Sequence, residues 1–235
     1  CFMLMNTGDV PRESTSRLLT TVAWQLEGQP VEYALEGSVF IAGAAIQWLR
    51  DGLKLIKTAP DVNDLAGEVD DTGDVYVVPA FAGLGAPYWD PTARGAILGL
   101  TRGSSDAHIA LATLRSLAYR TSDILQCMRA DSGLPIAELR VDGGASASNL
   151  LLQFQSDILD VTVQRPKLVE TTALGAAYLA GLAGGVWSGL DDLESHREID
   201  RVFEPDMNTS ERVRLLKGWT KAIDRARDWA KEDSE

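Results

Sequence analysis

A pair of adjacent glycines between a strand pattern and a helix pattern constrains this chain more than any other feature. The run Leu139-Arg140-Val141-Asp142-Gly143-Gly144-Ala145-Ser146-Ala147-Ser148-Asn149 leaves a short β-rich stretch, crosses two residues without side chains, and enters a helical period at 149–159. A second strand follows at 161–163 and a small-residue helix at 172–186. Strand, glycine turn, helix, strand, helix is the grammar of an α/β layer. Glycines there let the backbone turn sharply and approach a ligand with no Cβ in the way. The helix that follows presents unpaired N–H groups and the positive end of its dipole to an anion. The motif is neither GxGxxG nor a P-loop, so a plain turn between strand and helix is an equally good reading of these residues alone.

The rest of the chain fits around that unit. Three strands separated by turns are expected at 1–5, 18–24 and 31–35, which suggests an antiparallel meander. A helix with Ala42, Ile46, Leu49 and Leu53 on one face should cover 39–53, and the polar stretch 56–72 has room for a short one. A strand at 75–79 runs into a glycine- and proline-rich loop at 80–95 that carries Phe81, Tyr88 and Trp89. Aromatics in such a loop must pack or bind something. Long helices are expected at 106–130 and, amphipathic, at 210–229. Strands first and alternating elements afterwards give an α/β fold with a mixed sheet.

Bulk properties exclude several functions. With 235 residues and 45% hydrophobic composition the chain can bury one substantial core. Its 34 acidic residues against 22 basic ones, a net charge of -12, would repel nucleic acid and anionic membrane surfaces. Cys1 and Cys127 make neither a disulfide framework nor a metal cluster, and a reducing cytoplasm is the expected compartment. His108 and His196 are expected at the surface, and no serine–histidine–carboxylate set or other catalytic centre is gathered by the sequence. The chain opens on the apolar run Cys1-Phe2-Met3-Leu4-Met5 and ends on the polar 231–235, which reads as a piece cut within a domain at its start.

Two further motifs admit chemistry. Gly43 and Gln47 lie four apart on one helix, so both face the same way. On spacing alone, Gly43 serves helix packing and Gln47 the surface; if that face lines a cleft, they allow close approach and supply an amide. In Glu170-Thr171-Thr172-Ala173-Leu174-Gly175 a threonine can cap a helix, with no direct chemistry.

At this point several segments resemble a known family. They are Phe2-Met3-Leu4-Met5-Asn6-Thr7-Gly8, Tyr33-Ala34-Leu35-Glu36-Gly37, Ile46-Gln47-Trp48-Leu49-Arg50-Asp51, the loop Val78-Pro79-Ala80-Phe81-Ala82-Gly83-Leu84-Gly85-Ala86-Pro87-Tyr88-Trp89-Asp90, and Gln153-Phe154-Gln155-Ser156-Asp157. In order and over nearly the whole length, they are similar to glycerol kinases of the FGGY carbohydrate kinase family. The resemblance implies an actin-like ATPase fold of the ribonuclease H type, a mixed five-stranded sheet flanked by helices. It implies that residues 1–235 form the C-terminal, nucleotide-binding domain, with the N-terminal catalytic domain absent. Such kinases pass the γ-phosphoryl group of ATP, with Mg2+, to the sn-3 hydroxyl of glycerol, giving sn-glycerol 3-phosphate and ADP. Their aspartate base lies in the other domain, so no catalytic residue is expected here and the fragment alone should be inactive. Kinases for another polyol or sugar, or a non-catalytic actin-like interaction module, are the alternatives.

Residue by residue, the resemblance places Gly43, Ile46 and Gln47 on the adenine and ribose side of the nucleotide, which overrides the packing reading of that helix. It sets Gly144, with Gly143 beside it, against the nucleotide, and Phe2 against the carbon skeleton of glycerol. Two positions depart from the pattern. Ser148 stands where the family has an adenine-contacting asparagine, so either Ser148 or Asn149 serves. Arg115 stands where an acidic residue or glutamine is usual, and is expected to be structural. Glu211 matches a glutamate that in enteric relatives joins an intermolecular zinc site with a regulator of sugar transport; a helix-start glutamate favoured by the dipole is the simpler reading. A homo-oligomer is expected of the intact protein, with no nucleic acid and no membrane insertion.

Overall fold

The computed structural model describes residues 1–231; the last four residues of the polar run at 231–235 lie outside them. Strands β1 (Phe2–Gly8), β2 (Leu19–Trp24) and β3 (Glu32–Ser38) form the expected antiparallel meander, in the order β1-β3-β2. Helices α1 (Gly43–Asp51) and α2 (Asp61–Ala66) follow, then the pair β4 (Tyr76–Val78) and β5 (Ala96–Leu98). The long helix α3 (Asp106–Ser132) leads to β6 (Glu138–Arg140), α4 (Asn149–Leu159) and β7 (Thr162–Pro166). After α5 (Thr171–Ala183) and α6 (Leu190–Ser195), strand β8 (Ile199–Phe203) joins β6 and β7 in the order β6-β7-β8, and α7 (Thr209–Ala226) closes the fold. β6 and β7 are parallel while β7 and β8 are antiparallel, so the α/β class and the mixed pairing both stand.

The expected single five-stranded sheet is divided. The strands fall into sheets of three, two and three, and residues of the edge strands β1 and β6 line one cavity rather than pairing. Three elements are new relative to the sequence reading. β5 is only three residues long, α6 has no buried residue, and β8 sets the adjacent charges Asp200 and Arg201 between Ile199 and Val202 and buries only Phe203. Helix α1 is shorter than 39–53. Val39 continues the sheet by exchanging hydrogen bonds with Cys1 (2.8 and 2.9 Å), and Lys54 adopts a left-handed φ of 58° just past the helix.

Helix α3 is the axis of the core. Sixteen of its residues are buried, among them Leu114, Ile124, Leu125 and Met128, far more than an amphipathic surface helix would bury. It starts at Ser105, whose amide and hydroxyl both meet His108 Nδ1 (3.2 and 2.8 Å), so that histidine is a capping group rather than free surface. It ends at Gly133 in the left-handed conformation. Halfway along, the buried Arg120 donates to Asp123 (2.6 Å) and to the Ala86 carbonyl in the aromatic loop (2.7 Å). Asp123 also accepts from the Trp219 indole of α7 (3.1 Å). The loop aromatics therefore pack. Tyr88 lies under the Arg120 guanidinium, Phe81 against Trp48 and Trp89 against Phe40. Arg115 is structural as well, its guanidinium 4.7 Å over the Phe154 ring.

Two contacts with α3 generate predictions. A Cβ built on Gly37 of β3 would stand 2.3 Å from Ile124 Cγ2, closer than atoms can pack. Gly37→Ala should lower stability by about 1–3 kcal/mol in urea unfolding, and Ile124→Ala, which removes the clashing Cγ2, should cost less on the Gly37→Ala background than in the parent. Near the end of α3, Asp131 accepts from the hydroxyls of Ser14 (2.5 Å), Thr15 (2.8 Å) and Ser16 (2.9 Å) of the β1–β2 connection. Burial alone would push that carboxyl up, but the donors together hold it below the usual carboxylate range. Its stabilising effect is thus fully present above the unfolded-state pKa and is lost as pH falls through the lower folded value. Asp131→Asn should weaken the protein at neutral pH and flatten the acid limb of a stability-versus-pH curve.

Candidate nucleotide-binding site

The double glycine becomes a braced turn. Gly143 has φ 77° and opens a 3-10 turn, Gly144–Ala147, that hands over to α4. Gly143 donates to the Val169 carbonyl (2.9 Å), and the Ser146 hydroxyl folds back onto the Gly143 carbonyl (2.6 Å). From β7, Arg165 donates to the carbonyls of Ser146 (2.9 Å) and Ala147 (3.3 Å) while paired with Asp200 (2.7 Å). Among the described residues the backbone amides of Gly144 and Ala145 meet no acceptor. Nothing lies within 4 Å of the place where a Gly144 Cβ would stand. Two free amides on an open turn, ahead of an eleven-residue helix, suit an anionic oxygen.

A cavity of about 930 Å³ opens beside this turn, large enough for a small ligand. Phe2 lines it from the edge of β1, Ala42 from the start of α1, and Asp142, Ala145 and Ser146 from the glycine turn. Thr171 and Tyr178 of α5 form a further wall. Of the residues expected to bind, only Phe2 itself lines the cavity. Gly43 and the glycine pair reach it through their neighbours Ala42, Asp142 and Ala145. Burial pushes the Asp142 carboxyl up, and the negative charge of Glu170 pushes it further.

Helix α1 divides its residues between two faces. Gln47 is exposed and Gly43 half-exposed, with open space where a Gly43 Cβ would be. Ile46, only 6% exposed, faces the core, which leaves a ligand no more than its edge. Ser148 is more deeply committed. At 4% exposure its hydroxyl accepts from the Leu151 amide (3.1 Å), capping α4, and donates to Asn63 Oδ1 of α2 (2.5 Å). The donor role expected for adenine is therefore already spent, while Asn149 is exposed in the first turn of α4. Asn63 was not singled out by sequence, since nothing in its polar helix marks it. Glu211, in the first turn of α7, is held in a fork by Arg214 (2.8 Å on both oxygens), and Arg214 also holds Asp74 (2.6 Å). Among the described residues no three His, Cys, Asp or Glu side chains are grouped to hold a metal.

Comparison with known proteins gives this geometry a context. The sequence model of the FGGY family of carbohydrate kinases, C-terminal domain, matches residues 1–184. The chain is 60% identical over 233 residues to a glycerol kinase of Carboxydothermus hydrogenoformans, covering 99% of this chain and 46% of that protein. It is 56% identical to a glycerol kinase of Chromobacterium violaceum, covering 100% of this chain and 47% of that one. The chain thus spans about half the length of the curated relatives it matches. Its fold superimposes on a crystal structure of Plasmodium falciparum glycerol kinase with ADP at a TM-score of 0.88, with 36% identity over 96% of this chain and 45% of that one. A ligand-bound xylulose kinase from Lactobacillus acidophilus shares the fold at a TM-score of 0.77 and 21% identity, over 95% of this chain and 44% of that chain.

The two glycines should respond differently to a methyl group. Gly143→Ala forces a side chain into a left-handed backbone and should cost about 1 kcal/mol or more. Gly144→Ala meets open space and should leave the melting temperature close to that of the parent. Thermal unfolding of both variants checks the assignment of strain to the first glycine alone.

Proposed function

Since the chain belongs to the FGGY family of carbohydrate kinases, we propose that residues 1–235 are the nucleotide-binding domain of a kinase that phosphorylates glycerol. The single observation that carries this reading is the braced Gly143–Gly144 turn with two free amides at the mouth of a cavity. The ADP carried by the Plasmodium falciparum relative supports it. The diphosphate of ATP or ADP lies against the amides of Gly144 and Ala145 and the positive end of α4. Gly43 lets the ribose side approach α1, Gln47 supplies an amide there, and Ile46 contributes its edge. Phe2, 68% exposed on the cavity rim, offers the apolar wall that the carbon skeleton of a triol needs.

Phosphoryl transfer is achieved by positioning and charge neutralisation, so both walls of a cleft are required. This chain supplies the wall that holds the nucleotide and one apolar face for the acceptor. By resemblance, the aspartate base and the other polyol contacts belong to the part of such kinases that it does not span. The products are sn-glycerol 3-phosphate and ADP, in the service of glycerol use in the cytoplasm. The intact enzyme works as a homo-oligomer.

Magnesium is implied by the family. Asp142 and Glu170 stand beside the glycine turn and are too few to cage an ion alone. With a nucleotide's phosphates supplying the remaining oxygens, these two carboxylates would help to hold such an ion. It would supply charge neutralisation at the phosphates. A net charge of -12 argues against nucleic acid as a partner. No helix among the described residues is long and apolar enough to cross a membrane.

Calorimetry on the chain should detect ADP, and Gly144→Val should weaken it on the order of 100-fold by filling the open side of the turn. Equal ADP affinity in the variant, or no binding by the parent, would favour a non-catalytic module on the same fold. The chain alone should show no glycerol-dependent consumption of ATP, and appreciable turnover would refute the division of labour between the two halves.

A further inference from the structure

Arg165 of β7 is held against the glycine turn by an irregularity in the strand beside it. Along the β7–β8 pair, Arg165 stands opposite Arg201 and Pro166 opposite Ile199, so Asp200 is an extra residue with no partner across the ladder. Regular alternation would turn Asp200 away from the face that Arg201 and Arg165 share, and a bulge of this kind re-aims a side chain. The Asp200 carboxylate accordingly meets Arg165, accepting from Nε at 2.7 Å and pairing with Nη2 at 2.7 Å. Nη1 is left for the turn, where it donates to the carbonyls of Ser146 (2.9 Å) and Ala147 (3.3 Å). The guanidinium thus spans from an edge strand to the carbonyl end of the 3-10 turn, whose other end holds the unpaired amides of Gly144 and Ala145. Ala145 and Ser146 line the cavity, whereas Arg165 and Asp200 stand behind it.

We infer that Arg165 is the positioning residue of the anion-binding turn and that Asp200 aims it; this rests on the nucleotide reading of the site. A single 3-10 turn opened by two glycines is loose by nature. Glycine has the widest choice of backbone conformations, and the hydrogen bonds of such turns are poorly aligned. Two amides must converge on one anion, and ordering them only when the ligand arrives would cost affinity. A planar fork that grips two carbonyls on one side and a carboxylate on the other sets them in advance, and a lysine cannot hold both. Charge is not what Arg165 contributes, because Asp200 offsets it. Arg201, stacked with Arg165 on the Phe203 ring, carries the same charge but donates to neither of these carbonyls.

Calorimetry of the full chain with ADP and inorganic pyrophosphate separates positioning from simple attraction, because the two give opposite signs. By attraction alone, removing a carboxylate in Asp200→Ala would strengthen anion binding; with Arg165 released, both ligands should instead weaken about three-fold. Arg165→Lys keeps the charge and should lose about ten-fold, by the same factor for ADP and for pyrophosphate. Arg201→Gln removes a charge and should stay within about two-fold of the parent. In chain carrying isotope-labelled glycine, pyrophosphate should shift the Gly144 amide resonance of the parent. The same resonance should be broadened before any addition in Asp200→Ala and Arg165→Lys, which a loss of stability alone would not produce. Asp200 is exposed on the edge strand β8, so its variant carries the sign test by itself if Arg165→Lys does not fold. Tighter binding by Asp200→Ala, unchanged binding by Arg165→Lys, or a loss confined to ADP would each overturn the role while leaving the nucleotide site standing. A parent that binds neither ADP nor pyrophosphate would overturn the nucleotide reading and this role with it.

Discussion

The buried pair of Arg120 and Asp123 is where three remote parts of the chain are made to agree. It lies on the face of α3 that meets both the aromatic loop and α7. Burial pushes the Asp123 carboxyl up, and Arg120 leads the groups that oppose this, with the Trp219 indole and the Tyr88 hydroxyl assisting. A buried charge that keeps its partners is close to neutral for stability, whereas one that loses a partner costs about 3–5 kcal/mol. The pair therefore works as a condition on the fold. The loop must bring Ala86 and Tyr88, and α7 must bring Trp219, or the charges are stranded. The sheet strand that carries Phe2 and the segment around the glycine turn both pack into the core that this helix organises.

Much of this architecture was legible from residue patterns. Long helices announce themselves by period and by their caps, and α4 begins and ends where the sequence says it should. The meander at the start was readable from turn residues between β-rich runs. What escaped was short or shallow. β5 has three residues, and β8 is an edge strand that mixes charges with apolar residues and buries only Phe203. The division of the sheet is also invisible to sequence, since pairing between β1 and β6 depends on spacing in three dimensions and not on local preference.

The site was legible in a different way. The glycine pair carries its own physical signature, because only a residue without a Cβ sits comfortably at Gly143. The residues of α1 needed resemblance to be noticed, since spacing four apart fits a packing face as well as a binding face. Ser148 shows where such transfer of roles stops. Its identity suggests a polar contact, yet its geometry spends the hydroxyl on a cap and on Asn63. An ordinary asparagine in a polar helix gains meaning only from a hydrogen bond that spans 85 positions of sequence.

Helix α5 carries the last consequence. It is apolar on nearly all sides, yet Gly181, packed under Trp187, is its one buried residue, while Leu179 stands exposed. A helix held by so little apolar contact opens at low free energy, whereas α3 can open only with the whole core. Amide exchange across the molecule should therefore span nearly the full range from local fraying to global unfolding. The wall of the cavity formed by Thr171 and Tyr178 belongs to the fast end of that range. One side of the ligand's surroundings is thus built on the slowest-exchanging part of the fold and the other on the fastest, so a bound molecule would register first as protection in α5.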